Sequence, residues 1–274
     1  MAISLVVTLY NLHSQLRALV WYTNQYYMND DLMHDASIHA TAEKLAQIVH
    51  EGHRTMPKEP PLLVCRPKKI ESWRIFKIMA EFIEGFEIIR RYGLAATFFG
   101  SARATLEDDV YRHATDLAGR LAKKGFAVIT GGSAGIMQAA NKGAFEAGGV
   151  SVGLNINLPD VQIYNPYLTE KFSFDHFFVR KVMLTYASEA YIYFPGGYGT
   201  LDEFFEIITL VQTKKIRKVP IILFDSTYWN PLISFIEEKM YKERKTIDEA
   251  DTKLFVVVDS VDEAFEHIIT NVSC

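Results

Sequence analysis

Apolar side chains recur at three- and four-residue steps between Glu71 and Arg91, at Trp73, Ile75, Phe76, Ile78, Met79, Phe82, Phe86 and Ile89. That is the period of one helix face. Helical periodicity runs through residues 1–92, interrupted by a polar, proline-containing stretch from Met56 to Pro67 that would stop a helix. From Ala95 the texture changes to short apolar runs of strand length, Ala95 to Phe99, Phe126 to Thr130, Val150 to Leu154, Ala190 to Phe194, Val219 to Phe224 and Leu254 to Val258, most followed by a helical pattern. Gly125 is placed to close a helix from Asp108 to Lys124, and Gly148 with Gly149 one from Ile136 to Ala147. Strands alternating with helices predict an α/β fold, a doubly wound parallel sheet with helices on both faces. Residues 1–92 read as an N-terminal helical extension and residues 93–274 as the α/β domain, with the boundary near Gly93. Right-handed crossovers would put every strand-to-helix loop at the carboxyl edge of the sheet.

Composition narrows the picture. With 49% hydrophobic and 23% charged residues in 274, the chain can bury a sizeable core, enough for one large α/β domain and an appendage. A formal net charge of −4 argues against an extended nucleic-acid polymer as partner, whereas a small phosphorylated ligand needs only a local positive site. Cys65 and Cys274 give neither a disulfide framework nor metal-ligand spacing, which fits a reducing cytoplasm. Residues 1–22 are fairly apolar, but Asn11, His13, Gln15 and Arg17 interrupt them and no basic start or cleavage pattern frames them. They read as an amphipathic helix, and no uninterrupted run of about 20 apolar residues predicts a membrane span.

Three glycine-bearing loops follow predicted strands. In FFGSA, Gly100 and Ser101 offer backbone N–H groups and a hydroxyl. In TGGSAGIM, Gly131, Gly132 and Gly135 permit a tight turn and leave a helix N-terminus open to an anion, although a plain strand–helix turn would look the same. In PGGYGTLDE, Gly196, Gly197 and Gly199 let the backbone approach a phosphate and Thr200 can donate its hydroxyl. The spacing is neither a Walker A motif nor GxGxxG, which demotes ATP hydrolysis and dinucleotide redox chemistry. Glu203 has two readings: a carboxylate beside an anion site, or the last member of a Thr200–Glu203 capping box. Upstream, FFVRKVML puts Arg180 and Lys181 at the start of a predicted helix, where cations oppose the helix dipole. An anionic ligand accounts for that placement better than a solvated pair does.

GGSAGIM, FVRKVM and PGGYGTLDE, in this order, resemble the LOG (Lonely Guy) family of phosphoribohydrolases, and the similarity covers about residues 94–270. The resemblance implies a Rossmann-like nucleotide-binding catalytic domain that hydrolyses the N-glycosidic bond of a nucleoside 5′-monophosphate, AMP-like or a cytokinin riboside monophosphate, to free base and ribose 5-phosphate. It implies that Arg180 and Glu203 are catalytic. Lys181, Met183 and the Pro195, Gly196, Gly197, Tyr198, Gly199 and Thr200 loop would lie in the ligand pocket, with Gly100, Ser101, Gly131, Gly132 and Gly135 on the phosphate side. Met137, Met183 and Tyr198 are candidates to contact the base. The family builds its site at a dimer interface, so a homodimer or higher homo-oligomer is expected, with no cofactor and no metal. Relatives often carry a Glu shortly after a leucine–proline pair where this chain reads Leu158-Pro159-Asp160-Val161-Gln162, which bears on substrate preference.

Two alternatives stand beside hydrolysis. The same loops could hold a nucleotide or a phosphorylated cofactor without turnover, as a carrier or sensor related to molybdenum-cofactor carriers. Lysine decarboxylation, a label some relatives carry, would need pyridoxal phosphate on a buried lysine, and Lys181 beside Arg180 is a poor Schiff-base candidate.

Overall fold

A computed structural model describes residues 71–157 and 165–272 of the chain. The amphipathic helix expected in residues 1–22, the break from Met56 to Pro67 and the Leu158–Gln162 segment fall outside the described residues. Lys69–Cys274 form one compact unit. Its first helix, α1 (Ser72–Ile89), turns Ile78, Phe82, Gly85, Ile88 and Ile89 inward, while Trp73, Ile75, Phe76, Met79 and Phe86 of the same apolar pattern are exposed.

Seven parallel strands follow, β1 (Ala95–Phe99), β2 (Ala127–Thr130), β3 (Ser151–Ile156), β4 (Glu170–Phe174), β5 (Ala190–Tyr193), β6 (Ile221–Phe224) and β7 (Val256–Val258), in the order β4-β3-β2-β1-β5-β6-β7. Between them run α2 (Asp109–Lys123), α3 (Ile136–Glu146), α4 (Phe177–Tyr186), α5 (Tyr198–Gln212) and α6 (Ser226–Phe235), the last continuing as a π-helical stretch, Ile236–Glu243; α7 (Val261–Asn271) ends the described chain. The doubly wound parallel sheet is thus present as the strand–helix alternation predicts. β4 is an addition to the six expected strands. It pairs along β3 at the sheet edge, and its Glu170-Lys171-Phe172-Ser173-Phe174 sequence alternates half-buried and exposed positions until Phe174 is buried.

Burial on both faces follows from the two-residue period of a strand. In β1, Ala95 and Phe99 pack toward α1, α4, α5 and α6, while Ala96 and Phe98 pack toward α2, α3 and α7. Tyr191 and Tyr193 of β5 join the first set, and Ala190, Ile192 and Phe194 join the second. On the second face α2 and α3 approach closely enough that a Cβ on Gly143 would overlap the Thr115 carbonyl, and Ala118, Ala139, Ala140 and Ala144 line the same contact region. Among the described residues no helix is long and apolar enough to cross a membrane.

Candidate active site

β1 and β5 are neighbours, yet β1 leads into α2 on one face and β5 into α5 on the other. Their carboxyl ends therefore flank a crevice at the point where the winding reverses, the usual ligand position in open α/β sheets. Three loops meet there, joined through Ser101. Its N–H donates to Pro195 O at 2.9 Å and its carbonyl accepts from Ile136 N at 3.0 Å. Gly135 sits at φ +69°, and any side chain there would run into the Ser101 carbonyl, so the closure of the three loops depends on this glycine. The Ser101 hydroxyl accepts from Arg103 N at 3.1 Å.

Helices α3 and α5 both begin at the crevice, and both are capped by glycine, Gly135 and Gly197, with no side-chain cap hydrogen bond. The first-turn N–H groups of a helix have no acceptor within it. Those of α3 and α5 therefore lie at the crevice without a side-chain cap, apart from Ile136 N, which Ser101 takes. Gly132 N is likewise spent inside its loop, on Thr130 Oγ1 at 2.9 Å.

The start of α5 removes one of the two readings of Glu203. The helix begins at Tyr198, so Thr200 is its third residue and is buried, its side chain lying so close to Gly196 that a Cβ there would overlap the hydroxyl. Thr200 is not the cap, and the capping box does not form. Glu203, one turn further on, leans back over the first turn, with Oε2 at 3.7 Å from the place a Gly199 Cβ would take. Burial pushes its carboxyl above the usual range; the Arg180 charge pulls it down, and Asp202 pushes it up.

Arg180 comes to the same place from α4. Its Nε donates to Leu154 O at 2.9 Å at the end of β3, and its guanidinium lies against Gly131, where a Cβ would overlap Nη2. Burial lowers its pKa and Glu203 opposes that shift. The Met137 sulfur reaches the same side of Gly131. Arg180, Glu203, Met137 and the glycines at 100, 131, 135, 196, 197 and 199 are thereby gathered around one crevice.

Two other motif residues are not. Lys181, about 100° further round α4, points to α5 and pairs with Asp202 at 2.8 Å and Glu206 at 3.0 Å. Met183 is completely buried, its sulfur at 2.5 Å from where a Gly85 Cβ would lie, and fills the α1–α4 contact. The Tyr198 side chain, at the start of α5, is 93% exposed.

The structure also brings in residues that the motifs do not announce. Tyr228 of α6 donates to Gly196 O at 2.6 Å, and the buried Tyr193 donates to Glu203 O at 3.2 Å. Behind the 131–135 loop lies a buried polar network centred on Asn141. Its Oδ1 accepts from Thr130 Oγ1 at 2.6 Å and from Asn165 Nδ2 at 2.9 Å, and its Nδ2 donates to Ser151 Oγ at 2.9 Å. An asparagine inside the stripe Ile136, Ala139, Ala140, Gly143, Ala144 was the available signal. Asn141→Ala takes the acceptor from the Thr130 hydroxyl and the Asn165 amide inside the protein, and urea unfolding should register a loss of ~1–3 kcal/mol. An unchanged midpoint and slope would remove the network from the account of the loop.

A protein family described as "possible lysine decarboxylase" matches residues 137–268. A probable cytokinin riboside 5′-monophosphate phosphoribohydrolase of Oryza sativa subsp. japonica is 30% identical over 151 residues, covering 54% of this chain and 71% of the relative. A cytokinin riboside 5′-monophosphate phosphoribohydrolase of Arabidopsis thaliana is 32% identical over 156 residues, 56% of this chain and 68% of the relative. Among solved structures, the molybdenum cofactor carrier protein of Chlamydomonas reinhardtii aligns with a TM-score of 0.50 at 19% identity, covering 65% of this chain and 96% of that one, which marks a shared fold.

Proposed function

Because this chain belongs to the LOG family of phosphoribohydrolases, we propose that it hydrolyses the N-glycosidic bond of a nucleoside 5′-monophosphate, taking up water and releasing free base and ribose 5-phosphate. The observation that carries the reading is the pairing of Arg180 and Glu203: two opposite charges, each half-buried, at the carboxyl edge between two glycine-capped helix starts. Breaking the C1′–N bond builds positive charge on the ribose. A carboxylate near C1′ stabilises that charge and accepts a proton from the attacking water. Burial makes Glu203 a stronger base than an exposed glutamate. Arg180, already fixed through Nε, has the outer edge of its guanidinium for phosphate or base. The helix starts and the 196–200 loop take the phosphate.

Decarboxylation by way of a lysine Schiff base finds no support at Lys181, whose side-chain nitrogen is turned to Asp202 and Glu206 on α5.

The test is release of base from a panel of nucleoside monophosphates, with the matching nucleosides as controls. AMP should exceed adenosine by at least about 10²-fold in kcat/KM, since each hydrogen bond to a charged group is worth ~1.5–3 kcal/mol and adenosine leaves several donors unused. Equal rates on the two would dispose of the phosphate site. The panel also identifies the preferred base.

A further inference from the structure

The first turn of α4 is Phe177-Phe178-Val179-Arg180, with no acidic residue, and its cap residue His176 makes no side-chain cap hydrogen bond. Such a start leaves N–H groups unpaired and places a cation where the helix dipole disfavours it. A carboxylate from α1 holds the two residues that lead into this turn. Glu81 Oε1 accepts from Asp175 N at 2.6 Å, and Oε2 accepts from His176 N at 3.3 Å and lies 3.0 Å from His176 Nδ1. The Glu81 side chain is only 16% exposed.

We propose that Glu81 is a positioning residue for Arg180, acting through the first turn of α4; this rests on the assignment of Arg180 to the reaction. The bonds run without a break: Glu81 holds His176, the His176 carbonyl accepts from Arg180 N at 3.1 Å, and Arg180 Nε reaches Leu154 O at 2.9 Å. Cohesion between α1 and α4 does not require the carboxylate, because Met183 against Gly85 and the Phe82–Phe178 ring contact, 6.3 Å between centroids, already join the helices. What Glu81 adds is direction at the end of α4 that carries Arg180. A displacement of about 1 Å there is enough to misplace a catalytic group at a cost of 10²-fold.

The experiment is a double-mutant cycle in the full chain, measuring kcat and KM for AMP in Glu81→Ala, Arg180→Lys and the pair. Glu81→Ala should lower kcat/KM about tenfold alone and less than twofold once Arg180 is Lys, because the group it positions is then gone. Its acidic pH limb should move upward, since Arg180 is withdrawn from Glu203, whose other charged neighbours are Asp202 and Lys181. Glu81→Gln keeps one acceptor for Asp175 N and should recover part of the rate; it also stands in, with a loss of about threefold, should the alanine variant not fold. A loss of equal size in both backgrounds, or an unmoved rate and pH limb, overturns the proposal. If the unmodified chain binds AMP without releasing base, the hydrolase reading fails separately. The proposal is then decided by amide exchange and calorimetry. Faster exchange confined to residues 177–181 with weaker AMP binding supports it, and unchanged exchange overturns it.

Discussion

Glu203→Gln lowers AMP turnover on the order of 10²-fold or more, while the thermal midpoint and nucleotide affinity stay near those of the unmodified protein. Glutamine preserves the volume at a site that leans over the first turn of α5, so neither the Gly196–Thr200 contact nor the Tyr193 bond to the Glu203 carbonyl is disturbed. The amide cannot accept a proton from water and brings no charge to the developing ribosyl cation. The pH profile carries the same information with a defined sign. Activity needs the carboxylate, so it is present above the Glu203 pKa and lost as pH falls through it. Burial raises that pKa and Arg180 only partly offsets the rise, which places the acidic limb of kcat above the ordinary range for glutamate. Stopped assays from pH 4 to 9 on both proteins check this, and the residual rate of Glu203→Gln should lack the limb. A folded Glu203→Gln protein with full activity would take Glu203 out of the mechanism.

Arg180→Lys retains a cation yet should lose roughly 10- to 100-fold in kcat/KM for AMP. Lysine has no Nε to donate to Leu154 O and no planar edge to present beside Gly131. A second effect comes from burial. Desolvation that an arginine withstands lowers a lysine pKa into a range where the charge is lost, so the deficit should widen as pH rises. Comparing kcat/KM at pH 6 and pH 9 separates the two contributions. Equal activity at both pH values and at the unmodified level would take Arg180 out of the mechanism.

How far the sequence could be read depends on what fixes each feature. β1 spans Ala95–Phe99 as expected, because a central parallel strand buried on both faces writes itself as an unbroken apolar run. β4 escapes that rule. At the edge it needs only Phe172 and Phe174 inward, and Glu170 and Lys171 disguise it as a loop. The helix start at Tyr198 was hidden for a different reason: Thr-Leu-Asp-Glu has the letters of a capping box, but the preceding glycines let the backbone enter the helix three residues earlier. Arg180 and Glu203 were legible as motif members. Lys181 and Met183 belong to the same motif, and the turn of α4 sends one to α5 and the other into the α1 contact. Tyr228 reaches Gly196 across 32 residues of sequence, a proximity that only the packing of α6 creates. Pro231 lies within α6, where a helix break would ordinarily be read.

Because all seven strands run one way, the sheet has two unlike rims. Arg180, Glu203 and the glycine loops lie on the carboxyl rim. On the opposite rim the chain turns back at Gly125, at Gly148 and between Lys214 and Lys218, and Glu189 pins the entry to β1 by accepting from Ala95 N at 2.7 Å. Those turns are where the molecule offers handles. A tag, a fluorophore or a surface tether introduced at Gly148–Gly149 or in the 214–218 turn sits a full strand length from Arg180 and Glu203, and can report on or immobilise the protein without entering the path of its substrate.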